Sequence, residues 1–254
     1  MPSYIGHTAC GYELLKHLNL SKKEEEKFII GNLVPDIKQI DIDYTLDEFV
    51  NKRNIQKKKR VTHFRKDTNK ILEYPHCRIF LEKYESEVQK YVETMAYFFH
   101  LYTDFCYFKY FLPEMISFYD SDYHEVDEKD NFYYVKIHKN DEFLKASTFF
   151  SKIKKESLYK EYTRSNSYLI RKYKIELDTN ELREFIKKNS FDCHVEEIDL
   201  SKIDDVFRRI DKVYDNKIQE KGLIIFDEEK IDLFIQKVVK TFLEQYGYLL
   251  EKYQ

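Results

Sequence analysis

The stretch that decides the fold lies at residues 97–104 and reads YFFHLYTD. It belongs to an apolar, aromatic run at 95–112, which contains neither Gly nor Pro and is followed by Pro113. A run of this length without helix breakers predicts a buried helix. His100 and Asp104 are four residues apart, so both point from one face of that helix. Burying an imidazole and a carboxylate together is costly unless a partner satisfies them, and a metal ion is such a partner.

The composition extends the helical prediction to the whole chain. The 254 residues are 43% hydrophobic and 35% charged, with only 5 Gly and 4 Pro, and so few breakers favour long helices. We expect an all-α fold: a single multi-helix bundle over residues 1–254, with a metal site between helices. The metal-binding core is predicted at 1–113 and a helical extension at 114–254. Aromatic and β-branched residues add a small β hairpin near 131–138, and 143–172 are predicted to be helical.

Charge and hydropathy exclude several classes of protein. The formal net charge is −3 with mixed signs, which disfavours nucleic acid as a partner. The chain has no charge-free apolar stretch of 18 residues, so we expect no transmembrane segment. The first residues do not show the basic start and apolar run of a signal peptide, which favours a cytoplasmic protein. The cysteines form no Cys-x-x-Cys pair and are expected to be reduced, buried thiols. They are Cys10, Cys77, Cys106 and Cys193.

A first helix is predicted from about residue 4 to 18, with Ser3 as its N-cap. His7 lies on the same face as Leu14 and Leu18, so it points into the core. Two interpretations stay open for His7. It is either a core histidine bonded to a backbone carbonyl or a metal ligand.

A second helix opens with a capping box, in which Glu24 follows Ser21 by three residues. We expect this helix to end at Gly31 in the left-handed conformation that glycine tolerates best. Pro35 then fixes its own φ angle, so Asp36 is presented from a rigid turn. Asp36 is either a metal ligand or the cap of the element that follows.

Five residues of metal-ligand type thus occur in the first 104 positions, and two of them share a helical face. Three imidazoles and two carboxylates suit zinc, and also iron or manganese. The predicted ligands are His7, Asp36, His63, His100 and Asp104.

The order of these residues resembles a known family. The pattern consists of His7, Gly31-x-x-x-Pro35-Asp36, Thr62-His63-Phe64 and His100-x-x-x-Asp104. It is similar to the zinc-dependent phospholipase C family, whose superfamily also includes single-strand-specific zinc nucleases. The resemblance covers about residues 1–113 and leaves the second half of the chain untouched.

The resemblance implies an all-α bundle with metals held between helices. Asp36, His63, His100 and Asp104 match positions that enclose one zinc. His7 and Asp104 match positions on a second zinc, with Asp104 bridging the two ions. The family's third site needs a further His soon after the central helix, where Tyr110 stands in this chain. We therefore expect one or two zinc ions.

The expected chemistry is metal-assisted hydrolysis of an intracellular phosphoester, either a small molecule or a lipid. Asp36 is the predicted catalytic residue, which would orient or deprotonate the attacking water. Arg164 is a candidate phosphate clamp, with an exposed helical Arg as the alternative. A second hypothesis is a non-enzymatic helical interaction protein with a structural or vestigial metal site.

Overall fold

The computed structural model describes residues 3–37, 61–65, 73–127, 131–215 and 222–253. Within these ranges the chain is mostly helical and carries one small antiparallel sheet, which confirms the predicted fold class. No helix in the described part is long and apolar enough to cross a membrane.

The first half is built from four helices. They are α1 (Tyr4–Leu15), α2 (Lys22–Leu33), α3 (Cys77–Lys90) and α4 (Val92–Cys106), with a 3₁₀ turn at Val34–Asp36 after α2. The predicted caps are confirmed. Ser3 Oγ accepts a hydrogen bond from the backbone N–H of Gly6 at 3.1 Å, and Ser21 and Glu24 form the reciprocal capping box. These bonds satisfy N–H groups that have no partner within a helix.

The prediction for Gly31 was wrong. Gly31 lies inside α2, and no glycine in the described ranges has a positive φ. It is needed instead because α2 packs tightly against α4. A Cβ atom at Gly31 would lie 2.2 Å from the backbone oxygen of Glu93, at the start of α4. The missing side chain therefore lets the two helices that carry much of the site come close together.

The central helix α4 is bounded by two backbone irregularities. At its start, Tyr91 adopts extended angles (φ −121°, ψ 122°), which separates α3 from α4. At its end the chain passes into a π turn at Tyr107–Phe111 and then a 3₁₀ turn at Leu112–Glu114. The π turn keeps both Tyr107 and Phe111 buried immediately after the site-bearing helix.

The sheet has four short antiparallel strands in the order β2-β1-β3-β4. They are β1 (Ile116–Tyr119), β2 (Glu125–Val126), β3 (Tyr134–Ile137) and β4 (Glu142–Lys145). The predicted hairpin near 131–138 therefore supplies one strand of a larger sheet. The helix predicted from residue 143 was wrong at its start, because Phe143 pairs with Lys136 across β3 and β4.

The second half adds five more described helices around this framework. They are α5 (Ala146–Phe149), α6 (Leu158–Tyr173), α7 (Thr179–Asn189), α8 (Ile203–Asp215) and α9 (Glu228–Tyr246). Helix α1 contacts α2 and α4 on one side and α6 and α9 on another. The two predicted parts of the chain thus contribute residues to one hydrophobic core.

Candidate metal centre

The structure brings the five predicted metal-type residues together from four segments. His7 comes from α1, Asp36 from the turn after α2, and His63 from the short segment at 61–65. His100 and Asp104 project from one face of α4. None of the five is more than 4% exposed.

Asp104 lies between two imidazoles. Its Oδ1 is 3.3 Å from His7 Nε2, and its Oδ2 is 3.5 Å from His63 Nε2. Asp36 Oδ1 lies 3.6 Å from the same His63 nitrogen. These separations exceed ordinary N–H···O hydrogen bonds. They are close to the roughly 3.3 Å that separates two donors on a tetrahedral zinc with bonds of about 2.0–2.1 Å.

Hydrogen bonds at Nδ1 determine which ring nitrogen carries the proton in His100 and in His63. His100 Nδ1 lies 2.8 Å from the backbone oxygen of Asn32, which can only accept, so Nδ1 carries the proton. The Thr62 hydroxyl donates to the backbone oxygen of Pro35 at 3.2 Å and therefore accepts from His63 Nδ1 at 3.0 Å. Both Nε2 atoms consequently present a lone pair. A hydrogen bond from the second ring nitrogen to a protein acceptor is typical of metal-ligating histidines.

Several buried atoms of the centre make no hydrogen bond with any described residue. They are both ring nitrogens of His7, Nε2 of His100 and Oδ1 of Asp104. Leaving such an atom unsatisfied costs about 1–3 kcal/mol. The alternative in which His7 bonds a backbone carbonyl is therefore not observed in the described part of the chain. Metal ions held between these residues would satisfy several of these atoms.

The electrostatics favour the protonation states that bind metal. Burial holds the pKa of His100 well below 6.5, and the neighbouring His7 adds to this effect, so the imidazole stays neutral. Burial alone would raise the pKa of Asp104, but the neighbouring His7 holds it below its ordinary value. A neutral imidazole and an ionised carboxylate are the forms that ligate a metal ion.

The ring orientations divide the donors into two sets. The rings of His63 and His100 meet at 71°, and ligand atoms of His63, His100 and Asp104 all lie within 4.8 Å of one another. The rings of His7 and His100 are instead stacked, with centroids 3.6 Å apart and planes 11° apart. Ring lone pairs lie in the ring plane, so two stacked rings cannot direct them at one ion. Ligand atoms of His7, Asp36 and His100 also lie within 4.8 Å of one another. The stacking of the His7 and His100 rings nevertheless argues against one ion shared by these three residues.

Two functional positions were missed by sequence reasoning. Arg65 Nη2 lies 3.3 Å from Asp104 Oδ2, and the guanidinium carbon is 5.2 Å from the Phe108 ring centre. Asn32 joins two elements of the site: its side chain donates to the backbone oxygen of His7 at 2.8 Å, while its own carbonyl accepts from His100. Their proximity in sequence to His63 and Asp36 was the available signal.

The structure does not bring Arg164 to this cluster. Its Nη1 donates to Glu161 Oε2 at 3.1 Å, and its Nη2 donates to the backbone oxygen of Lys155 at 2.6 Å. The side chain is only 11% exposed, so it is not the freely exposed helical Arg of the alternative. Tyr110, at the position expected for a third-site histidine, is 46% exposed.

No protein-family model matches this chain, and neither the curated proteins nor the solved structures include a significant match.

Proposed function

We propose that this protein is a zinc-dependent phosphoester hydrolase with phospholipase C-like chemistry. One observation carries the proposal: His63 and His100 each donate a hydrogen bond through Nδ1, which leaves a lone pair on Nε2, and ligand atoms of both rings lie within 4.8 Å of the buried carboxylate of Asp104. Lone pairs and a carboxylate repel one another unless a cation lies among them. The donor set suits zinc, with iron or manganese as the other ions it would accept.

The ring geometry supports two ion positions. His63, His100 and Asp104 would hold the first ion, because their donor atoms all lie within 4.8 Å of one another, and Asp36 would join them from its position 3.6 Å from His63 Nε2. His7 and Asp104 would hold the second, because the stacked rings keep His7 away from the ion of His100. The two oxygens of Asp104 face different imidazoles, as a bridging carboxylate requires. This division agrees with the one that the resemblance to zinc-dependent phospholipases C implies.

Bound zinc would lower the pKa of water toward about 7 and polarise a phosphoryl oxygen. The chain supplies the remaining functions. Asp36 would orient the attacking water and accept its proton at a carboxylate oxygen. The buried surroundings strengthen each charge interaction by excluding bulk water. Asn32 and Thr62 hold the rings of His100 and His63 in the productive tautomer.

The cysteines support a substrate from a reducing compartment. All four lie in the described ranges, are buried and form no disulfide. Free thiols of this kind are typical of the cytoplasm. We therefore propose a cytoplasmic enzyme whose substrate is an intracellular small-molecule or lipid phosphoester.

The first test is the metal content of protein purified without chelator or nickel. We expect one to two zinc ions per wild-type chain by elemental analysis, and loss of zinc in His100→Ala and Asp104→Asn. His17→Ala and Asp141→Asn are matched controls, because both side chains are exposed and belong to neither proposed ion position. A wild-type protein that folds without stoichiometric metal would sink the proposal.

The deep burial of all five donors also favours a second candidate, a helical interaction protein with a structural metal. Turnover separates the two. A hydrolase should cleave at least one member of a panel of phosphomonoesters and phosphodiesters, and activity should disappear in Asp36→Asn while zinc is largely retained. Stoichiometric zinc with no turnover across the panel would support the structural role.

A further inference from the structure

Arg65 occupies the accessible edge of the candidate metal centre. It follows His63 and Phe64 directly in the sequence, and its guanidinium lies 3.3 Å from Oδ2 of Asp104. The Arg65 side chain is 14% exposed, whereas Asp104 and His63 are 0% exposed. Among these residues, a molecule arriving from solvent would therefore meet Arg65 first.

The guanidinium of Arg65 retains unused donor capacity. Its Nη2 contacts Asp104, but its Nε is buried and makes no hydrogen bond with any residue in the described ranges. Phe108 packs beneath the guanidinium plane and restricts its orientation. A planar, pre-oriented fork with a spare N–H is the arrangement by which Arg binds phosphate oxygens. Arg164 lacks this capacity for the site, because Glu161 and Lys155 already occupy it.

The charge around the centre favours a dianion. Asp36 and Asp104 contribute two negative charges, while two divalent ions and Arg65 would contribute five positive charges. A terminal phosphate carries up to two negative charges and three non-ester oxygens, enough to contact both the ions and the Arg fork. A phosphodiester carries one negative charge and only two such oxygens.

From these observations we infer that Arg65 binds the phosphate of the substrate, and that the preferred substrate is a phosphomonoester. This inference rests on the proposed zinc-dependent hydrolase. It concerns the edge of the site that contacts substrate, so it is separable from metal binding.

The test uses zinc-loaded full-length protein and two anions, inorganic phosphate at pH 8 and dimethyl phosphate. Affinities are measured by calorimetry for wild type, Arg65→Met and Arg65→Lys, with zinc content determined on the same samples. Arg78→Met is the matched control, because its side chain is 91% exposed on α3. We expect the wild type to bind inorganic phosphate more tightly than dimethyl phosphate. Arg65→Met should weaken phosphate binding roughly 10- to 100-fold at full zinc occupancy.

We expect Arg65→Lys to fall between wild type and Arg65→Met, since a lysine keeps the charge but loses the fork. Unchanged phosphate affinity in zinc-loaded Arg65→Met would overturn the inference while leaving the zinc hydrolase intact. Loss of zinc in Arg65→Met would also overturn the inference, because it would show that Arg65 only positions Asp104. Equal weakening of both anions would overturn the preference for a terminal phosphate. A wild-type chain without zinc would overturn both proposals.

Discussion

Asp104 and Glu161 are two carboxylates buried to the same extent, each 0% exposed, but their surroundings differ. Glu161 Oε1 accepts hydrogen bonds from the backbone N–H groups of Ile224, Ile225 and Phe226 at 2.8–2.9 Å. Its Oε2 accepts from Arg164 at 3.1 Å. Asp104 Oδ1 accepts no hydrogen bond from any described residue and faces His7 instead.

Glu161 is a structural carboxylate, whereas Asp104 has the surroundings of a candidate metal ligand. The backbone donors at 224–226 compensate Glu161 for its lost hydration, so its role is to tie that segment to α6. Asp104 is surrounded mainly by imidazoles: His63 and His100 present ring lone pairs, and the ring nitrogens of His7 make no hydrogen bond with a described residue. Arg65 therefore balances the negative charge of Asp104 on one side. On our proposal, a metal ion balances it on the other.

The largest effect should follow from removing the metal. We expect a chelator to lower the melting temperature of wild-type protein, because zinc at a thousandfold excess over its Kd stabilises the fold by about 4 kcal/mol. The difference between loaded and stripped protein should vanish in Asp104→Asn and persist in Glu161→Gln. Differential scanning calorimetry measures all six samples. Identical melting of loaded and stripped wild type would remove the distinction between the two carboxylates.

The next effect concerns the structural carboxylate itself. Glu161→Gln should lower the free energy of unfolding by about 2–4 kcal/mol, because an amide nitrogen would face backbone donors and the charge of Arg164 would lose its partner. Urea denaturation provides the measurement. Glu82→Gln, at a side chain that is 59% exposed, should change stability little. A large loss of zinc in Glu161→Gln would contradict the assignment.

Helix packing next to the site predicts a third, smaller effect. Gly31→Ala should cost about 1–3 kcal/mol, because its Cβ would collide with the backbone of Glu93 and push α2 away from α4. Zinc affinity should fall as well, since Asn32 and Asp36 would shift away from His100. Gly222→Ala is the control, because no atom lies within 4 Å of its added Cβ. Wild-type zinc affinity in Gly31→Ala would indicate that this packing does not set the ligand geometry.

Acid should produce the smallest effect, measured on metal-free protein. Burial, with a smaller contribution from His7, lowers the pKa of His100 below 6.5. The folded state therefore binds fewer protons than the unfolded state. The contribution of His100 to the free energy of unfolding is therefore fully present above pH 6.5. It is lost as the pH falls below 6.5, by at most about 1.4 kcal/mol per pH unit. His100→Asn should flatten the pH dependence of the unfolding free energy, and the exposed-residue variant His124→Asn should not. An unchanged slope in His100→Asn would show that His100 is not buried as the neutral form.

The sequence by itself determined much of the first half. Helix periodicity placed His100 and Asp104 on one face, and short-range rules identified the caps at Ser3 and Ser21, because these features depend on neighbours a few residues apart. The same local reasoning identified all five residues that the structure gathers into the candidate centre. It also predicted one strand, since aromatic and β-branched residues at 132–137 fit a half-buried sheet.

Only the tertiary structure decided which contacts those elements make. Gly31 was expected to end a helix, but its role is set by Glu93, 62 positions away in the sequence. Arg164 was chosen as a phosphate clamp from its residue type, yet Glu161 engages it, while Arg65 reaches Asp104. Phe143 became part of a strand because Lys136 pairs with it. In each case the deciding partner is distant along the chain or on another element, so local pattern could not supply it. The unbonded ring nitrogens of His7 likewise became visible only once every described neighbour was in place.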